Sequence, residues 1–236
     1  MSMINNTSKP LVFLGTNLAM WNLVDTARQL GITVAGVIDD DYHSAGEFQT
    51  LPVLALESSL DDAFWKDYQF FCATNWQPDE LLGPWHTRNR SKRHLYIDRL
   101  DQLDLDVATL VHPFSIVISY NVNLGKGVYL DQHCYVGSNT TIGDYTMLWH
   151  GSGCGHDNTV GRNCVIQRQS FISGGVKLED NVFMGLRSSV IRDNVTIAAG
   201  TFVHPGISLM RGTQPGEVVS LVGKDLRKVY HRPTEG

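Results

Sequence analysis

Hydrophobic residues recur at every sixth position through most of the second half of the chain. Counting in steps of six from Leu124 meets an apolar residue twelve times in succession, ending at Val190. Because 42% of all residues are hydrophobic, such a run has a chance probability on the order of one in ten thousand, even allowing for six frames. One residue is inserted after Val190, and Ile118 extends the period upstream. The period then resumes at Ile191, Ile197, Val203 and Leu209.

The six-residue period resembles the hexapeptide repeat of left-handed parallel β-helices, in which three hexapeptides form one triangular coil of about 18 residues. The resemblance implies that each apolar anchor fills the interior of a prism, and that residues about 18 apart stack at the strand spacing of about 4.8 Å. Roughly 95 residues would form about five coils. Glycines often follow the anchors directly, where we expect the corners to need tight backbone. These glycines are Gly125, Gly137, Gly143, Gly155, Gly161 and Gly185.

The first half of the chain has a different pattern, in which apolar strands alternate with amphipathic stretches. We predict strands at residues 11–14, 32–38 and 70–74, and helices that end near residue 30 and span about 84–103. Alternating strands and helices indicate a small parallel sheet covered on both faces. The predicted fold is an α/β Rossmann-like domain over residues 1–110, a left-handed parallel β-helix over 111–208 and a C-terminal extension over 209–236.

Composition limits the classes of function. The 236 residues carry a net charge of −5, which argues against nonspecific binding to nucleic acid or to an anionic membrane. No apolar run approaches the 18 or more residues that cross a bilayer, and residues 1–10 lack the features of a secretory signal. The four cysteines form no CxxC pair. We therefore expect a soluble cytoplasmic protein with reduced thiols.

Two histidines, His150 and His156, each lie two residues after an anchor, so their side chains should project outward from the prism. His156 is followed by Asp157, and a carboxylate beside an imidazole fixes the tautomer and raises the basicity, which suits a general base. Gly174 lies 18 residues after His156, so Gly174 and Gly175 would leave room beside the imidazole and expose backbone N–H groups. The alternative is that His156 is only an exposed turn histidine.

The segment over residues 155–185 reads GHDNTVGRNCVIQRQSFISGGVKLEDNVFMG. It resembles the core of the sialic acid O-acetyltransferase family, especially its nucleotide-amino-sugar N-acetyltransferases, including those that act on GDP-perosamine and on the UDP-4-amino sugar of the bacillosamine pathway. The family motif is His followed by Asp or Glu, two further residues and Ile-Gly. His156-Asp157 and Val160-Gly161 match it without a gap. These enzymes also carry a small nucleotide-binding domain before the solenoid.

This resemblance implies roles for residues at matched positions. His156 would deprotonate the attacking amine, Asp157 would support it, and the Gly174 N–H would donate to the acyl carbonyl oxygen. Acetyl-CoA would bind in a groove between adjacent chains of a homotrimer, and no metal is expected. The predicted cofactor-binding residues are Gly174, Gly175, Lys224 and Arg227. Because an amine attacks a thioester directly, no acyl-enzyme is needed, and the two cysteines nearest the motif are interpreted as core residues. These are Cys154 and Cys164.

In the first half, the resemblance implies that a nucleotide-linked sugar binds where the parallel strands end. The predicted substrate-binding residues are Gly15, Thr16, Asn17, Asp39, Asp40, Thr74 and Asn75. The first turn departs from the family because it has a single glycine and no His, and no GxGxxG fingerprint is present. A basic run in the predicted helix would meet a diphosphate, or would simply form a solvated face. It consists of Arg88, Arg90, Lys92 and Arg93.

The leading function is therefore acetyl-CoA-dependent N-acetylation of an amino group on a nucleotide-linked deoxyamino sugar, for glycan or surface polysaccharide synthesis. O-acetylation of a sugar hydroxyl is the nearest variant. A second class is a metal hydrase like the γ-type carbonic anhydrases, which would use His133, His150 and His156. A third is a noncatalytic scaffolding solenoid. The sequence leaves the base, the sugar and the acyl chain length open.

Overall fold

The computed structural model describes residues 7–17, 19–39, 42, 45–54, 62–74, 87–118, 120–222 and 226–231. Backbone alone is described for residues 62, 87–91, 221–222 and 226–231. The chain divides into two compact units, Met1–Pro113 and Phe114–Gly236. No helix in the described part of the chain is both long enough and apolar enough to span a membrane.

The first unit is built on a three-stranded parallel sheet, in which the strand nearest the N-terminus lies between the other two. Its strands are β1 (Leu11–Leu14), β2 (Val34–Ile38) and β5 (Gln69–Cys72), and every residue of the first and last is buried. The predicted strand at residues 11–14 is confirmed without change. Strand β2 begins two residues after its predicted start, and β5 begins one residue before its predicted start and ends two residues before its predicted end. The further elements are α1 (Met20–Gln29), β3 (Glu47–Phe48), β4 (Leu51–Pro52), α2 (Asp62–Asp67), α3 (Thr87–Gln102) and β6 (Leu110–Val111). A Rossmann-like nucleotide-binding role for this small sheet remains a prediction.

The second unit is a left-handed parallel β-helix of about six turns, slightly longer than the predicted five or so. Two-residue strands stack in parallel to form three walls. The first wall contains β7 (Ile116–Val117), β10 (Tyr135–Val136), β13 (Gly153–Cys154), β16 (Phe171–Ile172), β19 (Ser189–Val190) and β22 (Ser208–Leu209). The second contains β8 (Asn123–Leu124), β11 (Thr141–Ile142), β14 (Thr159–Val160), β17 (Lys177–Leu178) and β20 (Thr196–Ile197). The third contains β9 (Tyr129–Leu130), β12 (Met147–Leu148), β15 (Val165–Ile166), β18 (Phe183–Met184) and β21 (Phe202–Val203).

The apolar anchors are the second residues of these strands and fill the interior, as the six-residue period predicts. The anchors between Leu130 and Val190 are at most 1% exposed. Burial of each such side chain stabilises the fold by about 1.5–3 kcal/mol. Two positions assigned to the period are wrong. Val117, and not Ile118, pairs with Val136, and Ile191 is 51% exposed, because each lies next to a turn with one extra residue.

Five of the six glycines that follow the anchors, all except Gly155, are needed for a reason other than the predicted tight backbone. None of the six has a positive φ. A Cβ on Gly137 would lie 2.5 Å from the carbonyl oxygen of Gly155, and one on Gly143 would lie 2.6 Å from the carbonyl carbon of Gly161. Glycine is therefore required where successive coils approach each other closely. The left-handed conformation belongs instead to a residue two positions later, such as Asp157 with φ of 57°.

The C-terminal extension begins within the last strand of the first wall and contains a hairpin. Strand β23 (Glu217–Val222) pairs in parallel with β21. Strand β24 (Leu226–His231) pairs with β23 in the antiparallel direction. The hairpin therefore continues the third wall. Lys224, a predicted cofactor ligand, lies outside the described residues, and the side chain of Arg227 is not described.

Candidate active site

The turns that join the first wall to the second form one edge of the prism, which we call the His156 corner. Its stacked turns span residues 137–140, 155–158, 173–176 and 191–195. Inter-coil hydrogen bonds hold them in register: the Asp157 N–H donates to the Ser138 carbonyl at 2.8 Å, and the Gly175 N–H donates to the His156 carbonyl at 2.9 Å. The predicted stacking of Gly174 one coil after His156 is thereby confirmed.

The imidazole of His156 projects from this corner with 69% of its side chain exposed. Its Nδ1 lies 2.6 Å from Asp157 Oδ2. Because a carboxylate accepts only, the neutral ring carries its proton on Nδ1 and leaves an unshared electron pair on Nε2. No described residue forms a hydrogen bond with Nε2, so this nitrogen faces solvent as a proton acceptor.

Asp157 is itself held by the preceding coil. Its left-handed backbone is tolerated better by Asp than by most residues. Asn139, 18 residues earlier, donates from Nδ2 to Asp157 Oδ1 at 2.9 Å. The hydrogen bonds from His156 and Asn139 hold the pKa of Asp157 below its usual value. The Asp157 carboxylate therefore remains ionised at neutral pH. Asn139 is not among the site residues predicted from the sequence, although its spacing of 18 residues from Asp157 indicates that the two stack on successive coils.

Gly174 lies directly against the catalytic candidate. A Cβ built on Gly174 would lie 2.8 Å from Cε1 and 2.9 Å from Nε2 of His156. Only a glycine at this position allows the imidazole to rest on the next coil. The Gly174 N–H donates to Asp193 Oδ1 at 3.2 Å, so its role as a donor to an acyl oxygen stays a prediction. Gly175 follows in the left-handed conformation with φ of 66°.

The cysteines of the solenoid are unsuited to nucleophilic catalysis. Cys154 and Cys164 are fully buried, and burial raises the pKa of each thiol to about 12. A thiol that stays protonated at neutral pH is a poor nucleophile. Their interpretation as core residues agrees with these positions.

The three histidines of the metal-hydrase alternative are divided between two corners. His133 and His150 contact each other with ring centroids 5.5 Å apart, in the turns from the third wall to the first. His156 belongs to the following corner. Within the described residues of one chain, no three His, Cys, Asp or Glu side chains lie close enough together to hold a metal ion.

In the first unit, several sequence-predicted residues meet at the carboxyl ends of the parallel strands. The Thr16 hydroxyl donates to Asp39 Oδ2 at 2.8 Å. Gly15 has φ of 73°, and a Cβ on it would lie 2.2 Å from Cγ2 of Thr74. The Asn17 side chain donates to the Ala73 carbonyl and accepts the Ala19 N–H at 2.7 Å. Asp40 and Asn75 lie outside the described residues.

Several of these side chains are buried, which limits the polar groups that a ligand can contact. Asp39 is 3% exposed and Thr74 is 0% exposed. Asp39 Oδ1 also accepts from Lys92 Nζ at 2.9 Å, so its direct contact with a substrate stays a prediction. Arg93 is buried and donates to the Cys72 and Thr74 carbonyls, which excludes it from a solvated face. The side chains of Arg88 and Arg90 are not described.

No protein-family model matches the chain. A curated relative, UDP-3-O-acylglucosamine N-acyltransferase from Caulobacter sp. (strain K31), is 28% identical over 102 residues, which are 43% of this chain and 29% of the relative. The chain thus matches less than a third of that relative's length.

Solved structures match over nearly the whole chain. PerB from Caulobacter crescentus, in complex with CoA and GDP-perosamine, has a TM-score of 0.78 and 23% identity, covering 95% of this chain and 98% of its own. WeeI from Acinetobacter baumannii AYE has a TM-score of 0.74 and 16% identity, covering 94% and 100%. The acetyltransferase domain of PglB from Neisseria gonorrhoeae FA1090 has a TM-score of 0.61 and 18% identity, covering 89% and 96%. These likenesses establish that the chain shares their fold.

Proposed function

We propose that this protein is a cytoplasmic, acetyl-CoA-dependent N-acetyltransferase that acts on an amino group of a nucleotide-linked deoxyamino sugar for glycan or surface polysaccharide synthesis. The observation that carries the proposal is the His156–Asp157 pair, with Nε2 exposed directly over Gly174. Support also comes from the CoA and GDP-perosamine in the similar Caulobacter structure and from the curated relative's name as an N-acyltransferase.

The geometry suits direct transfer. The amine attacks the thioester carbonyl carbon, and Nε2 of His156 takes the proton that the nitrogen loses. Asp157 stabilises the resulting imidazolium through Nδ1. The tetrahedral intermediate then collapses, the C–S bond breaks and the CoA sulfur leaves with a proton returned from the imidazolium. A noncatalytic scaffold gives no reason for this pair to be held by Asn139 and seated on a glycine.

Ligand-dependent unfolding tests the proposal. A ligand that binds only the folded state raises the free energy of unfolding by about 2.7 kcal/mol at a hundredfold excess over its Kd. We expect acetyl-CoA and one of the UDP-, GDP- or dTDP-linked amino sugars each to raise the melting temperature. A zinc-dependent shift without any response to CoA or nucleotide sugars would favour the metal-hydrase alternative instead.

Nucleotide binding by the first unit leads to a prediction at Asp39. Replacing Asp39 with alanine releases Thr16 and Lys92, at the sheet edge where α/β proteins bind ligands. We expect affinity for the nucleotide sugar to fall about tenfold or more, with acetyl-CoA affinity unchanged, as measured by calorimetry. Asp106→Ala, which breaks the half-exposed pair with Lys9 in the same unit, is the control and should change neither affinity. Unchanged nucleotide-sugar binding in the Asp39 variant would refute this assignment.

The proposed homotrimer is supported by a difference between the walls. The first wall exposes Ile116, Tyr135 and Phe171 at 59%, 38% and 45%, and the rings of the latter two stack across Gly153. Contiguous exposed apolar groups mark interaction surfaces. The corresponding positions of the second wall are exposed and polar: Asn123, Thr141, Thr159, Lys177 and Thr196. We therefore propose that the first wall packs against neighbouring copies.

Phe171→Glu should accordingly dissociate the trimer, because it places a charge in an apolar interface. Sedimentation velocity at micromolar concentration should show a trimer for the wild type and smaller species for the variant. Thr159→Glu adds the same charge to the polar wall and should leave the trimer intact. A wild-type protein that sediments only as a monomer would contradict the proposed assembly.

A further inference from the structure

The turn over residues 191–195 has one residue more than the turns stacked before it at 155–158 and 173–176. The extra residue changes the register: Lys177 pairs with Thr196, 19 positions later, whereas Thr159 pairs with Lys177, 18 positions later. The longer turn folds back onto the segment beneath the imidazole. The Ser173 hydroxyl and the Gly174 N–H both donate to Asp193 Oδ1, the latter at 3.2 Å.

The contact of Asp193 with Gly174 conflicts with the chemistry proposed for this amide. A backbone N–H has one hydrogen, so the Gly174 amide cannot make a good bond to Asp193 and to a thioester carbonyl at once. A carboxylate in this place would also repel the negative charge that develops on the acyl oxygen. Asp193 is exposed, so its side chain can turn into solvent without leaving a buried charge behind.

We propose that Asp193 occupies the acyl-oxygen position of the unliganded enzyme, and that the carbonyl of acetyl-CoA displaces it from the Gly174 N–H. This inference rests on the proposed function. Asp193 then acts as a positioning residue: it keeps the amide hydrogen-bonded in the absence of acyl donor and lowers the affinity for the acyl group by competing with it. CoA without an acyl group has no thioester carbonyl to compete.

Two backbone hydrogen bonds that do not involve Asp193 hold the turn beneath His156. The Asn194 N–H donates to the Gly174 carbonyl at 3.2 Å, and the Gly175 N–H donates to the His156 carbonyl at 2.9 Å. Removing the Asp193 carboxylate should therefore free the Gly174 amide without displacing Gly174. Asp180 provides a matched control, because its Oδ1 accepts the Arg162 N–H of the preceding coil at 2.8 Å, in a different corner.

The test is calorimetric titration of the full-length protein with acetyl-CoA and with CoA. We expect Asp193→Ala to bind acetyl-CoA about three- to tenfold more tightly than the wild type, with CoA affinity changed by less than about twofold. Asp193→Asn keeps an acceptor oxygen without the charge, so its affinity for acetyl-CoA should lie between those of the wild type and Asp193→Ala. Asp180→Ala should leave the ratio of the two affinities as in the wild type.

The outcomes separate this inference from the proposed function. An unchanged or lowered preference for acetyl-CoA in both Asp193 variants would overturn the inference alone, because the wild type would still bind both ligands. A wild type that binds neither CoA nor acetyl-CoA would overturn the proposed function and the inference with it.

Discussion

Replacing His156 with alanine should lower turnover by about 10²- to 10⁴-fold, which corresponds to roughly 3 to 5 kcal/mol of transition-state stabilisation. The imidazole is the exposed base of its corner, and 69% of the side chain is accessible, so its removal leaves no cavity in the core. We therefore expect the oligomeric state and the affinities for acetyl-CoA and nucleotide sugar to remain as in the wild type. Steady-state kinetics should show the loss in kcat.

His150→Ala is the matched control for this variant. His150 lies one hexapeptide earlier, in a different corner, where its ring contacts His133. The acetyltransferase account predicts near wild-type turnover for His150→Ala, whereas a three-histidine metal site would lose activity with either substitution. An alanine variant of His156 that retains turnover within about threefold of the wild type would mean that positioning alone supplies the catalysis.

The pH dependence should follow the same pair. Because hydrogen bonds lower the pKa of Asp157, its carboxylate stays charged at neutral pH and accepts the hydrogen bond from Nδ1 of His156. Because a general base acts only in its unprotonated form, the rate should rise with pH. Asp157→Asn removes this charge but keeps much of the geometry, so we expect a smaller loss of kcat than His156→Ala causes.

The second large effect is expected from one added methyl group at Gly174. In Gly174→Ala, the new Cβ would lie 2.8 Å from Cε1 and 2.9 Å from Nε2 of His156, so the imidazole must move. Gly174 has no positive φ, and the backbone itself therefore accepts alanine. A displacement of about 1 Å at a catalytic group can cost about 10²-fold in rate, and we expect a loss of that size in kcat.

Gly155→Ala is the control, since it adds the same group to the same corner. Its Cβ would meet Gly174 N and the Ser173 carbonyl carbon at 3.4 Å, which is ordinary contact. This variant should keep most of its turnover, and both variants should unfold at temperatures near that of the wild type. If the two alanines reduce kcat equally, the contact between Gly174 and His156 has no special role.

Periodicity predicted the solenoid because this fold repeats one requirement, an apolar side chain inside the prism, at a constant spacing. The same regular spacing predicted that Gly174 stacks on His156, and it marks Asn139 as the partner of Asp157. The period failed only at Ile118 and Ile191, where turns with an extra residue break the register. Local pattern therefore describes this unit well wherever the spacing is constant.

The contacts that the sequence left unpredicted depend on side chains distant along the chain or on broken register. The sequence did not predict that Thr16 and Lys92 would donate to the oxygens of Asp39, because Lys92 follows 53 residues later on α3. Asp193, which accepts from Gly174, lies in the turn 191–195, which is longer than its neighbours. The inserted residue is visible in the sequence, whereas the direction in which the Asp193 side chain points is not.

The most direct test of the account is the mass of a nucleotide-linked amino sugar after incubation with acetyl-CoA and the protein. The account predicts that wild-type protein adds one acetyl group to a UDP-, GDP- or dTDP-linked amino sugar, on nitrogen, with release of one CoA thiol per acetyl group. His156→Ala should form this product at least about 10²-fold more slowly. No acetylated product with any of the three nucleotide classes, or equal product from the wild type and His156→Ala, would contradict it.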